Sequence, residues 1–161
     1  MLNIKPIRQT TSHCGPSCLK MVFDYYDLDV SLKKISKIAK TSLRHGTSNK
    51  NMVLAAKHFG FNVEYLENLS IKELSDLVNI EKLPVIVNWF SYVEKHYLVV
   101  VGVGNKNIYF IDSEDGHRKK VSIKVFKKLW FDFSGDYIRS HKNLRLRPVI
   151  VIKPKIKTIR I

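Results

Sequence analysis

In the first third of the chain, apolar positions recur at three-to-four spacing, the period of a helix that buries one face. Cys14-Gly15-Pro16-Ser17 opens the first such pattern, with Cys18, Met21, Val22 and Tyr25 on one side. Pro16 suits its first turn, where a missing N–H breaks no intrahelical bond. Asp27 to Asp29 end this helix. Ser31 then caps a short one carrying Leu32, Ile35, Ile38 and Ala39, and the polar stretch Thr41 to Ser48 follows as a loop. A third helix starts at Asn49, turns Met52, Val53, Ala56 and Phe59 to one side, and stops at Gly60.

Beyond Gly60 the period changes. Phe61 to Leu66 alternates as a strand does, Ser70 caps a helix running through Val78, and Pro84 precedes the β-branched run Val85-Ile86-Val87-Asn88-Trp89. His96 to Val103, Asn107 to Ile111, Arg118 to Val121 and Val149 to Ile152 read as further strands, with turns at Gly104-Asn105 and Asp115-Gly116. Ser122 caps a late helix holding Val125, Phe126 and Leu129. A helical half followed by an antiparallel half predicts an α+β fold, with residues 1–161 forming a single domain and no internal repeat or linker.

Composition narrows the class. At 161 residues, 45% apolar and 11% aromatic, with seven Gly and five Pro, the chain can bury one core and is neither disordered nor collagen-like. The 28 Lys plus Arg against 14 Asp plus Glu give a net charge of +14. From Arg139 onward there are eight basic residues and no acidic one, so a basic C-terminal tail is expected over about 153–161. Such a tail fits a solvated segment, or contact with an anionic membrane surface or an acidic protein. Nucleic acid rests on charge alone, without a recognised motif, and is not expected. Met1 to Gln9 places Lys5, Pro6 and Arg8 where the apolar core of a secretion signal would run, and the apolar run Tyr97 to Val101 is far short of the roughly 20 residues a membrane helix needs. A cytoplasmic location is therefore expected. Cys14 and Cys18, the two cysteines, lack the second chelating pair of a structural zinc site and suit a reducing compartment as free thiols, so no metal and no cofactor are expected.

The candidate chemistry starts at Cys14. A thiol attacks a carbonyl as thiolate, and a helix N-terminus favours negative charge. It also needs a base that can take the thiol proton and later give it to the leaving amine. Of six histidines, His96 begins an apolar strand that would hold its ring on a rigid element. Asp112 falls just after the next strand, where hairpin pairing would bring a carboxylate beside that ring; Glu114 and Asp115 lie close enough in sequence to take the same role. Gln9, in the extended approach to Cys14, could aim an amide N–H at an oxyanion beside the Cys14 backbone N–H. Cys18 reads as core, His13 as solvent-exposed, and Trp89 and Phe90 as either cleft rim or core.

Gln9-Thr10-Thr11-Ser12-His13-Cys14-Gly15-Pro16-Ser17-Cys18-Leu19, Gly46-Thr47-Ser48, His96-Tyr97-Leu98-Val99-Val100 and Asp112 occur in the order of a known family. Together they resemble the C39 peptidases, the processing domains of bacteriocin and peptide exporters and their free-standing relatives. The resemblance runs from about Lys5 to Pro154. It implies a papain-like cysteine peptidase fold, with Gln9 in the oxyanion hole, Cys14 as nucleophile, His96 as base and Asp112 as its orienting partner. It further implies that the segment from Gly46 through Leu54, Ala55 and Gly60 helps form the substrate face. Two positions depart from the common pattern: His13 stands where many members have Asp, and Ser113 where many have Pro. The function expected on this basis is a cysteine endopeptidase that cleaves a peptide or a double-Gly leader through an acyl-enzyme, with a peptide exporter as partner. The alternatives are another papain-like acyl transfer or deamidation, or a non-catalytic peptide-binding domain. Retention of Cys14, His96 and Asp112 counts against the last.

Overall fold

The computed structural model describes residues 1–91 and 94–155. In chain order the elements are α1 (Cys14–Tyr25), α2 (Leu32–Ile38), α3 (Asn49–His58), β1 (Phe61–Leu66), α4 (Ile71–Ser75), β2 (Val85–Phe90), β3 (Lys95–Val103), β4 (Asn107–Asp112), β5 (His117–Ser122), α5 (Ile123–Leu129), β6 (Phe131–Phe133), β7 (Leu144–Leu146) and β8 (Val149–Pro154). This is the α+β arrangement expected. Six strands form an antiparallel sheet in the order β1-β8-β2-β3-β4-β5, with α1 and α3 packed on it and α2 against those two helices.

Ser31, Ser70 and Ser122 cap their helices as the sequence predicts, and Ser48 caps α3 in addition. The side-chain oxygens of Ser31, Ser48 and Ser122 accept from backbone N–H groups three residues on, at 3.2–3.3 Å. Ser70 and Glu73 close a reciprocal capping box. The helix begun at Ser70 finishes as a π-helical turn, Asp76–Ile80. That turn delivers the Asn79 side chain to the end of β3, where it donates to Val103 O at 2.6 Å and accepts from Val103 N at 3.2 Å.

The core lies where α1 packs along β3. Residues His96 to Gly102 of β3 are buried without interruption, which accounts for an unbroken apolar run in place of alternation. Phe23 of α1 stacks on Phe61 and meets Phe59 edge-on. An N-terminal arm, not assigned to any element from the sequence, runs against β3. Leu2 N–H donates to Val101 O at 2.7 Å, where a bulge in the β3–β4 pairing leaves Val101 without a cross-strand partner. The Arg118 guanidinium holds the arm further along, donating to Leu2 O at 3.2 Å and Ile4 O at 2.6 Å.

Two features differ from expectation or extend it. The short sheet β6–β7 has no signature in the hydrophobic pattern. Of the basic tail expected over about 153–161, Lys153 and Pro154 are the last residues of β8, and residues 156–161 lie outside the described residues. Part of the C-terminal charge is also paired, Arg145 with Glu67 at 3.4 Å and Lys153 with Glu81 at 4.0 Å.

Gly15 lets α1 approach the 41–48 loop and α3 closely. A Cβ there would lie 2.9 Å from Met52 Sδ and 3.1 Å from Thr47 Cβ. The change Gly15→Ala is therefore expected to overpack this junction and lower stability by about 1–3 kcal/mol, read as a reduced urea midpoint at unchanged slope. A midpoint equal to that of the wild type would show that the junction has room to give.

Candidate functional site

The arm turns sharply into α1. Ser12 adopts a left-handed conformation (φ 59°), its hydroxyl donates to Leu43 O at 2.7 Å, and His13 N–H donates to Thr10 O at 3.2 Å. His13, at the cap position, gives no side-chain cap; its ring turns back to the Thr11 carbonyl and is half-buried rather than exposed. Pro16 has no N–H, and Ser17 N–H bonds to His13 O. The N–H groups of Cys14 and Gly15 thus have no acceptor among the described residues, and they sit beside the thiol. Cys14 is half-buried and lines an open cleft of about 1600 Å³. Cys18, one turn on, is fully buried, and burial pushes its thiol well above the ordinary value, so it is core as the spacing suggested.

His96 and Asp112 meet through strand register. Leu98 pairs with Asp112 across the β3–β4 ladder, and His96 lies two residues before Leu98, so the imidazole and carboxylate are diagonal neighbours. His96 Nε2 is 2.7 Å from Asp112 Oδ1, with both side chains buried. Nε2 is taken by Asp112, which leaves Nδ1 for the Cys14 sulfur. Burial alone would lower the His96 pKa; hydrogen bonds with Asp112 and Cys14, and the charge on both, outweigh it and raise it to about 10.

Asp112 is held in turn. Burial would raise its pKa, but His96, the Glu114 N–H at 3.0 Å and Lys119 Nζ at 3.1 Å keep the carboxyl well below the usual range. Asp115 pairs instead with Lys119 at 2.7 Å, so of the nearby acids it is Asp112 that meets the ring. Gln9 lines the same cleft as Cys14 and His96. Its backbone N–H donates to Ser113 O at 2.6 Å, and its Oε1 accepts from the Ser113 hydroxyl at 2.6 Å. Gln9, Cys14, His96 and Asp112, scattered in sequence, are therefore assembled in one place.

Several contributors escaped the sequence reading. Lys119 carries no motif and is found only through the β4–β5 register. Tyr97 OH lies 2.9 Å from Thr47 O and 2.8 Å from Asn49 Oδ1, and Asn49 Nδ2 donates to Asp132 Oδ2 at 2.9 Å. This relay ties the 41–48 loop and β6 to the strand carrying His96; burial raises the Asp132 carboxyl above its ordinary value. Phe90 lines the cleft with Phe131 and Phe133, whereas Trp89 packs on Phe110 and Phe126, which resolves the two readings of that pair. Among the described residues one trio, His96, Asp112 and Glu114, brings metal-type ligand atoms within 4.8 Å of one another. Its His and Asp already bond each other and Asp112 carries Lys119, so the trio fits an ion-paired dyad better than a cation site.

Residues 3–134 match the Peptidase C39 family. The Pediocin PA-1 transport/processing ATP-binding protein PedD of Pediococcus acidilactici is 32% identical over 120 residues, which is 73% of this chain but 16% of that protein. The peptidase domain of Streptococcus ComA, a bi-functional ABC transporter involved in a quorum sensing pathway, superposes with a TM-score of 0.72 at 24% identity, covering 95% of this chain and 100% of that one. A double glycine motif protease from an AMS/PCAT transporter, crystallised in complex with the leader peptide, gives 0.71 at 21% identity, covering 94% and 92%. At these identities the structural likeness speaks to the fold.

The charge state of the dyad has a consequence for stability. The folded His96 pKa, about 10, lies above its ordinary 6.5, so its contribution is complete below about pH 6.5 and is lost as pH rises through about 10. Asp112, shifted downward from 3.8, contributes above that value and loses its contribution on acidification. The urea midpoint of the wild type is expected to fall between pH 7 and 10 more steeply than that of His96→Gln. Parallel curves would mean that the imidazole is not held charged in the folded state.

Proposed function

Because this chain belongs to the Peptidase C39 family, we propose that it is a cysteine endopeptidase that releases a leader segment from a peptide through an acyl-enzyme on Cys14. The observation that carries the reading is the 2.7 Å His96–Asp112 pair, on the same cleft as the Cys14 thiol at the start of α1.

In this mechanism the Cys14 thiolate attacks the scissile carbonyl carbon and a C–S bond forms. The carbonyl oxygen becomes an oxyanion, received by the Cys14 backbone N–H and the Gln9 side-chain amide. Protonated His96 gives its proton to the amide nitrogen as the C–N bond breaks, and the amine product leaves. Neutral His96 then takes a proton from water, whose oxygen attacks the thioester, and the thiolate departs as the acid product forms. Asp112 holds the ring in the tautomer and orientation that both transfers need. Every step uses groups of the chain, with no metal or cofactor.

The relatives and the cleft support a peptide substrate. One structural neighbour is described as a double glycine motif protease bound to a leader peptide, and PedD as a transport/processing protein. The cleft offers an aromatic wall of Phe90, Phe131 and Phe133, with exposed Leu54, Tyr137 and Ile138 also on its lining, suited to apolar side chains of an extended or helical ligand. We take a double-Gly leader as the substrate class and a peptide exporter as the functional partner. Among the described residues no helix is long and apolar enough to cross a membrane; a reducing cytoplasm suits the free thiol.

A synthetic peptide carrying a leader that ends in Gly-Gly, followed by a short cargo, tests the reading. Wild type is expected to split it at one bond and Cys14→Ala to lose about 10³-fold or more in turnover. Iodoacetamide should label the wild type at Cys14 and not at buried Cys18. Equal turnover by both proteins, or an unlabelled Cys14, would refute the assignment; a mass gain of about one dalton without chain scission would redirect it to deamidation.

A further inference from the structure

The turn after β4 touches both halves of the site. Asp112, the last residue of β4, leads into it and orients His96. The next residue, Ser113, is fully buried and meets the arm that carries Gln9. We propose that Ser113 is a positioning residue whose hydroxyl decides which end of the Gln9 amide faces Cys14.

A glutamine side chain presents an oxygen at one end and an NH2 at the other, and only the NH2 can stabilise an oxyanion. Gln9 is half-buried on an arm outside any helix or strand, so its backbone does little to choose between the two ends. Ser113 makes the choice. A buried hydroxyl needs an acceptor for its hydrogen, and among the described residues Gln9 Oε1, at 2.6 Å, is the partner found for it. Turning the amide over would set NH2 against the hydroxyl and strand that hydrogen. With Oε1 engaged, the NH2 is left for the cleft that Gln9 shares with Cys14.

The backbone reinforces the contact. Gln9 N–H donates to Ser113 O at 2.6 Å, so the two residues are joined at two points. The turn is rigid, because Glu114 N–H bonds to Asp112 Oδ1 and Gly116 N–H to Asp112 O, each at 3.0 Å. The arm presses directly on it. Gly116 has a positive φ of 71°, and a Cβ there would fall 3.0–3.2 Å from atoms of Arg8. One turn therefore sets the base through Asp112 and the oxyanion donor through Ser113.

The proposal rests on the roles given above to Cys14 and Gln9. It is tested by kcat and KM for wild type, Ser113→Ala, Gln9→Ala and the double variant on the same synthetic leader peptide, with the alkylation rate of Cys14 followed against pH. Ser113→Ala is expected to lower kcat about tenfold with KM changed by less than about twofold, as loss of one neutral hydrogen bond would. Gln9→Ala should lower kcat about a hundredfold. Within the Gln9→Ala background, adding Ser113→Ala should change kcat by less than about twofold, since the amide it positions is gone. The alkylation profile of Ser113→Ala should overlay that of the wild type. Ser113→Gly removes the same hydroxyl without added volume and serves if the alanine variant fails to unfold cooperatively.

A wild-type kcat in Ser113→Ala, an equal loss in both backgrounds, or a displaced alkylation profile would overturn the proposal; the last would place the effect on Asp112. Retained turnover in Cys14→Ala is the separate outcome that fails the peptidase reading itself.

Discussion

A protonated imidazole out of reach of water is tolerable only beside negative charge, and the architecture around β3 is arranged to provide it. His96 is 4% exposed, its ring is bonded to Asp112, and it lines the same cleft as Cys14. A buried carboxylate has the same difficulty, and Asp112 solves it with a backbone N–H and Lys119 in addition to His96. Removing any one member leaves a desolvated charge behind, so the group stands or falls together. The thiol is best viewed as the outermost member of this chain, the one that meets the cleft.

The cleft around that chain is assembled from segments distant in sequence. The arm brings Gln9, the helix start brings Cys14, the 41–48 loop brings Thr47, and the β6–β7 region brings Phe131 to Ile138. Hydrogen bonds from Tyr97 join the loop to β3, and Asn49 joins α3 to β6, so the cleft walls are tied to the strand that bears His96. Shape and chemistry are coupled through one tyrosine adjacent to the histidine.

Much of this was legible in the residues. Serine caps, helical spacing and β-branched runs placed α1–α3, α5 and the strands of the main sheet, because each depends on local preferences or on one buried face. The hairpin logic joining His96 to Asp112 was also accessible, since a two-residue offset across a tight connection has few solutions. What escaped depends on contacts across the chain. The arm Leu2 to Gln9 pairs with a bulge and an arginine far away in sequence, and β6 and β7, of three residues each, are too short for a period to emerge. Lys119 looks like any surface lysine on an exposed edge strand until β4 and β5 are brought into register. Ser113 stood out only as a departure from a family pattern, and its partner lies 104 residues earlier.

Strand order has an effect on biogenesis. β8 lies between β1 and β2 and pairs with both, although it is the last of this sheet's six strands in chain order. Until Pro154 has been translated, two strands made much earlier lack their common neighbour, and the sheet behind β3 stays open. Nascent chains consequently carry Cys14 and His96 before the sheet that holds β3 is closed, so completion of this scaffold lags behind the folding of the helices.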